Sequence, residues 1–205
     1  IGVDIAGDKE DTKYLLKQAE IPVPRGEIVR TEKGLREAAD DLRYPLVIKP
    51  IDGNHGRGVT TNIATWDQAQ EAFALAKKIS NSVVVEQYIT GEDYRLLVIN
   101  HKLVAAAKRL PAQVTGDGHS TLQQLINQTN SDPRRGYGHE KVLTFIDVDE
   151  ITRKLIQQKN YSPETVLKKG EVMVLKDTAN LSTGGTSIDV TDIVHPGTVF
   201  MAERI

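Results

Sequence analysis

The chain has 205 residues, 39% of them hydrophobic and 26% charged, which suits one large domain or two closely packed lobes and excludes a disordered polymer. A net charge of −2 gives no general pull toward nucleic acid or membrane, and no apolar run approaches the ~18 residues needed to cross a bilayer. The absence of cysteine excludes disulfides and thiolate metal sites, and is compatible with the cytoplasm.

The chain opens on Ile1-Gly2-Val3 without a methionine and stops at Met201–Ile205, where a helix is starting, so both ends read as internal to a longer polypeptide. A helix is expected over residues 9–19, capped by Asp8 and ended by Ile21-Pro22-Val23-Pro24, because proline lacks the amide donor. Residues 27–30 read as a strand, and Thr31 caps a helix running to Leu42. A strand at 46–49, a glycine loop and a second strand at 59–63 follow. A helix with Asp67 at or just inside its start runs to about Lys78, and SVVVEQY at 82–88 is strongly β. Residues 94–99 and 103–110 form an antiparallel pair around Asn100-His101-Lys102. The polar region 116–170, with short helices near 121–128 and 151–158, reads as an inserted lid outside the core. A strand at 171–176 and a small-residue loop at 178–186 complete the chain. Helices and strands mix without regular βα alternation, which argues for an α+β fold.

Four stretches carry candidate chemistry. In VIKPIDGNHGRGVTTNI, residues 47–63, a glycine loop lies between two strands, so it is neither a Walker A loop nor a dinucleotide fingerprint, both of which open a helix. Its amides suit a flap over phosphate, with Lys49 as a point charge; a plain hairpin explains the glycines too. In VVVEQYITGEDYRLLVI, residues 83–99, the end of a strand suits reading of an adenine edge, with Glu86 and Arg95 as candidates; solvent-facing and ion-paired side chains are the alternative. In AAAKRLPA, residues 105–112, period-2 alternation turns either Lys108 or Arg109 inward, where an unpaired cation is costly and seeks an anion. In TANLSTGGTSID, residues 178–189, Asn180, Ser182 and Thr183 crowd polar groups beside Gly184-Gly185. Asp132-Pro133-Arg134-Arg135-Gly136 is most simply a solvated turn, and the five histidines show no ligand spacing, so no protein metal site is assigned.

In this order the pieces resemble an ATP-grasp ligase, and the wording DGNHGRGV together with NSDPRRGYGHEKVL and TANLSTGGTSIDVTDIVHP is similar to the ATP-grasp domain of the cyanophycin synthetase family. That resemblance implies two α+β lobes gripping ATP: residues 1–45 as entry elements, 46–90 as a small lobe with the flap, 91–115 and 171–205 as the larger lobe, and 116–170 as the lid, incomplete at the C-terminal end. It implies ATP-dependent phosphorylation of the terminal carboxylate of a cyanophycin primer, followed by addition of L-aspartate. It implies further that L-arginine is added at a separate domain. Lys49, Gly53, Asn54, Gly56 and Gly58 would hold phosphates, Glu86, Tyr88 and Ile89 would frame adenine, and Glu92 or Asp93 would reach the ribose. Arg95, Arg109, Asn180 and His55 would serve the reacting groups, and Ser182, Gly184 and Gly185 the substrate. Lys9 or Lys13 would approach the substrate end, and Arg57, Arg134 and Arg135 would attract anionic chain ends. The resemblance also implies Mg2+, held by residues beyond the C-terminal end, and a cytoplasmic homo-oligomer. The same-chemistry rival is the ATP-grasp half of the bifunctional glutathione-forming enzyme, and a non-catalytic nucleotide-binding domain is a third reading.

Overall fold

The structure, a computed structural model, describes residues 9–52, 58–138 and 140–205. The chain divides into two compact units, one formed by residues up to Gly91 and the other by Glu92–Arg204. Asp8, expected to cap the first helix, lies outside the described residues.

In the first unit, α1 (Lys9–Gln18) precedes a four-stranded antiparallel sheet of β1 (Gly26–Val29), β2 (Leu46–Pro50), β3 (Thr60–Ile63) and β4 (Val83–Gln87), in the order β1-β4-β2-β3. Strand alternation sends Leu46, Ile48, Val83 and Val85 to one face, where they are fully buried. They pack with Leu35, Ala38, Ala39 and Leu42 of α2 (Glu32–Leu42) and Ala69, Ala72 and Ala76 of α3 (Trp66–Lys77). Thr31 caps α2 by accepting from the Gly34 amide at 3.1 Å, as its sequence position suggests. For α3 the cap is Thr65, and Asp67 sits in the first turn, where a negative charge favours the helix dipole. The expected entry elements therefore share one sheet and one core with residues 46–90.

The second unit holds a three-stranded antiparallel sheet of β5 (Asp93–Ile99), β6 (Lys102–Leu110) and β11 (Thr186–Asp189), in the order β11-β6-β5. Asn100 and His101, both at positive φ, make the tight turn between β5 and β6. A second, separate core unites Ala112, Val114, Leu122, Leu125, Ile126, Ile146, Ile156, Leu167, Met173 and Leu175. It joins β7 (Gln113–Thr115) and β10 (Val172–Val174) to α4 (Leu122–Asn130) and α5 (Glu150–Gln158). Residues 116–170, expected to stand outside the core, thus help build one: each short element buries only a few side chains, and the layer closes when distant pieces meet. A two-residue parallel pair, β8 (Arg135–Gly136) with β9 (Leu143–Thr144), lies between the helices in sequence. The last helix is α6 (Pro196–Glu203).

Candidate functional site

In the first unit, the sheet face away from the core carries charge. Register sets Gly26 and Val47 opposite Glu86, and Lys49, two residues beyond Val47, shares that face. The Glu86 carboxylate is buried at 6% exposure and accepts hydrogen bonds from two lysines, Lys49 of β2 and Lys13 of α1, the latter at 2.5 Å. Burial pushes the Glu86 carboxyl up, but the hydrogen bonds from Lys13 and Lys49 and their positive charge outweigh it and hold it below the usual value. Gly26 gives the room: a Cβ there would stand 2.7 Å from that of Glu86. Together with Glu27, Ile28 and Val84 these residues line a small cavity of about 120 Å³. Lys13 and Lys49 converge on this wall as paired ammonium groups, suited to phosphate oxygens once they exchange Glu86 for them.

The glycine loop leaves β2 beside this cavity. Gly58, at its far end, has φ +68°, and a side chain there would run into Pro50 and Ile79. Gly53, Asn54, His55, Gly56 and Arg57 lie outside the described residues. At the end of β4, Tyr88 is half-buried with its amide donated to Pro45 O at 3.0 Å. Ile89 is exposed, and its peptide groups make no hydrogen bond among the described residues.

In the second unit, Asp93, Ala107, Arg109, Ser187 and Asp189 lie side by side on one sheet face with Arg95. Arg95 is exposed and stands 3.5 Å from Asp93. The half-buried Arg109 makes no ion pair or side-chain hydrogen bond among the described residues. Lys108 points to the opposite face, where Glu92 accepts its ammonium hydrogen bond and that of Tyr94 Oη, the latter at 2.6 Å. Glu92, expected at the ribose, is therefore engaged, and those hydrogen bonds, that from Lys108 foremost, keep its carboxyl below the ordinary range. Among the described residues Arg109, not Lys108, is the cation left without a partner for an anion to take.

The loop after β10 has a different logic from the one expected. The amides of Gly184 and Gly185 are donated to Leu181 O and Asn180 O at 3.2 and 3.0 Å, so they are not free to hold an oxyanion. Gly184 has φ +92°, and a Cβ there would lie 2.8 Å from Ile146 Cγ1; at Gly185 it would meet the carbonyls of Asn180 and Leu110. The two glycines let the loop close. Asn180 Nδ2 donates to Thr178 at 3.3 Å, while the exposed Ser182 hydroxyl has no partner among the described residues. Arg134 forms the surface turn foreseen for it, paired with Asp132 at 2.7 Å. Arg135 does not: it is buried and donates to Thr144 O at 2.5 Å and Gly184 O at 2.9 Å, bracing the loop.

Ser182 and Thr183 open onto a cavity of about 540 Å³ that the residue patterns did not reveal. Lys176, buried at its rim, pairs with Asp149 at 2.6 Å. Burial pushes the Asp149 carboxyl up, but hydrogen bonds from Lys176 and Thr152 bring it below its usual value. One signal was available: the apolar run Val172–Leu175 ends on a lysine, as Val47–Ile48 does. Among the described residues, no group of three or more His, Asp or Glu side chains stands close enough to hold a metal ion.

The chain is similar in sequence and in fold to known proteins. Cyanophycin synthetase of Synechocystis sp. is 50% identical over 208 aligned residues, covering the whole of this chain and 24% of that protein. The glutathione biosynthesis bifunctional protein of Streptococcus mutans is 38% identical over 92% of this chain and 26% of its own length. The crystal structure of a bifunctional glutathione synthetase from Pasteurella multocida superposes with a TM-score of 0.62 at 30% identity, over 96% of this chain and 27% of that one. The chain thus spans about a quarter of the length of these relatives. The RimK-like ATP-grasp domain matches residues 6–127, a span that takes in both the Lys49–Glu86 pair and Arg109. Matched over more than half its length, with the mixed antiparallel sheets of that fold, this chain belongs to the RimK-like ATP-grasp family.

Proposed function

We propose that the chain is the ATP-grasp part of a ligase that lengthens the poly-aspartate backbone of cyanophycin. The observation that carries this reading is the identity along the entire chain, 50% to cyanophycin synthetase against 38% to the glutathione-forming relative. A carboxylate is a poor electrophile, so ATP transfers its γ-phosphoryl group to an oxygen of the primer's terminal carboxylate. The amino nitrogen of aspartate attacks the acyl-phosphate carbon; phosphate leaves, and a peptide bond remains.

The residues divide by unit. In the first, Lys49 and Lys13 exchange Glu86 for phosphate oxygens, the glycine loop at 53–58 covers them, and the free peptide groups of Ile89 meet the adenine edge. In the second, the unpaired Arg109, with Arg95 beside it, neutralises the acyl-phosphate, and the Ser182 hydroxyl orients the primer end. Magnesium accompanies the nucleotide and screens its charge; no residue is assigned as its ligand. Because the reaction consumes ATP, the cytoplasm is its natural compartment; no helix among the described residues is long and apolar enough to cross a membrane.

The test is ADP formation by the full-length protein with either cyanophycin primer and aspartate or γ-glutamylcysteine and glycine. Turnover with the first pair alone supports the reading; turnover with the second pair alone refutes it. Lys49→Ala should abolish turnover, and unchanged activity in that variant would remove the lysine from the phosphate site.

A further inference from the structure

The 540 Å³ cavity of the second unit has more features than a carboxylate-positioning loop needs. Its charges do not cancel. Lys176 is neutralised by Asp149, whereas the Asp147 carboxylate is exposed, lines the same cavity and makes no ion pair or side-chain hydrogen bond among the described residues. The remaining charge is negative, so the complementary ligand is a cation. An anion is disfavoured, because the one lysine in the wall already has its counter-ion. Two aromatic rings line the same cavity: Tyr137 and Phe145 meet edge to face, with centroids 4.9 Å apart at 73°, and Tyr137 is 76% exposed. A cavity that offers both an unpaired carboxylate and an exposed aromatic ring suits a planar guanidinium better than a compact ammonium, since the guanidinium donates two parallel hydrogen bonds and stacks. At this volume the cavity has room for a side chain together with adjoining backbone. Its position adds the last element, because Ser182 and Thr183, from the loop assigned to the primer end, line it too.

We infer that this cavity binds the guanidinium of an arginine side chain at or next to the reacting end of the primer, with Asp147 as its counter-ion and Tyr137 as its stacking surface. The inference rests on the reading of the substrate as an arginyl-poly-aspartate chain. It makes the cavity a device for recognising that the previous aspartate has received its arginine before the backbone grows again.

The test uses the full-length protein and two primers of equal length, one carrying arginine and one carrying citrulline, which keeps the shape and removes the charge. Wild type should prefer the arginyl primer. Asp147→Asn should raise KM for that primer about tenfold, the loss expected for one charge-assisted pair. It should bring the two primers level and leave kcat and the KM for ATP and aspartate within about twofold. The Asp147 carboxylate makes no hydrogen bond or ion pair among the described residues, so the variant should fold normally; Tyr137→Ala, at an exposed ring, should give the same loss of preference more weakly. Undiminished preference for arginine in both variants overturns the inference while leaving the proposed ligase intact. So does a rise in the aspartate KM in place of the primer KM. Failure of wild type to use either primer overturns the proposed function, and this inference with it.

Discussion

Replacing Glu86 by glutamine tests the electrostatic centre of the first unit. The carboxylate is 6% exposed and holds Lys13 and Lys49, whose side chains are about a quarter exposed. At an effective dielectric near 20, each unit pair in contact is worth roughly 5 kcal/mol, but desolvation of the carboxylate takes back several and the partly exposed ammonium groups are screened further. Glutamine keeps one acceptor and leaves two like charges together. The expected net loss is about 2 kcal/mol, which lowers the melting point of a unit of this size by about 10 °C. The pH dependence has a definite sign. The folded carboxyl lies below its reference value of 4.5, so its stabilisation is fully present above that pH and is lost as pH falls through the lower, folded value. Urea unfolding of wild type and variant at about pH 7 and pH 3 should therefore show a gap that narrows in acid. An equal gap at both, or none at neutral pH, refutes the ion-pair argument.

Other perturbations separate binding from architecture. Arg109→Ala, at a side chain with no partner among the described residues, should change stability by less than about 0.5 kcal/mol in denaturant titration but lower kcat about 100-fold. Gly184→Ala, at φ +92° and against Ile146, should cost about 2 kcal/mol, read as a lowered melting temperature. Thr121 and Gln124 form a reciprocal cap on α4, with bonds of 3.3 and 2.8 Å, so Thr121→Ala should cost about 1 kcal/mol by the same measurement.

The first unit was the more legible in sequence because its signals are local. Val47–Ile48 and Val83–Val85 alternate or run apolar as strands do, and Thr31 caps its helix through a residue three positions on. The second core was hidden because Val114 and Met173 meet across a polar stretch whose helices each bury only a few side chains. The same division applies to the site. Lys49 stands out at a strand end, but its partner Glu86 depends on the register of β2 against β4, and Lys13 arrives from a helix before the sheet begins. Arg135 read as a surface charge because nothing near it in the chain announces the carbonyls of Thr144 and Gly184 that hold it. Gly184 and Gly185 suggested donors for a substrate, whereas their amides close the loop itself. For residues 53–57, the expected roles of Gly53, Asn54, His55 and Gly56 stand as sequence readings.

The central claim is that ATP activates the primer's terminal carboxylate as an acyl-phosphate. Primer labelled with oxygen-18 in that carboxylate, incubated with the full-length protein, ATP and aspartate, gives a direct reading by mass spectrometry of the released phosphate. Transfer of one labelled oxygen to phosphate for each aspartate added is the expected result; label found in AMP, or phosphate released without label, would contradict it.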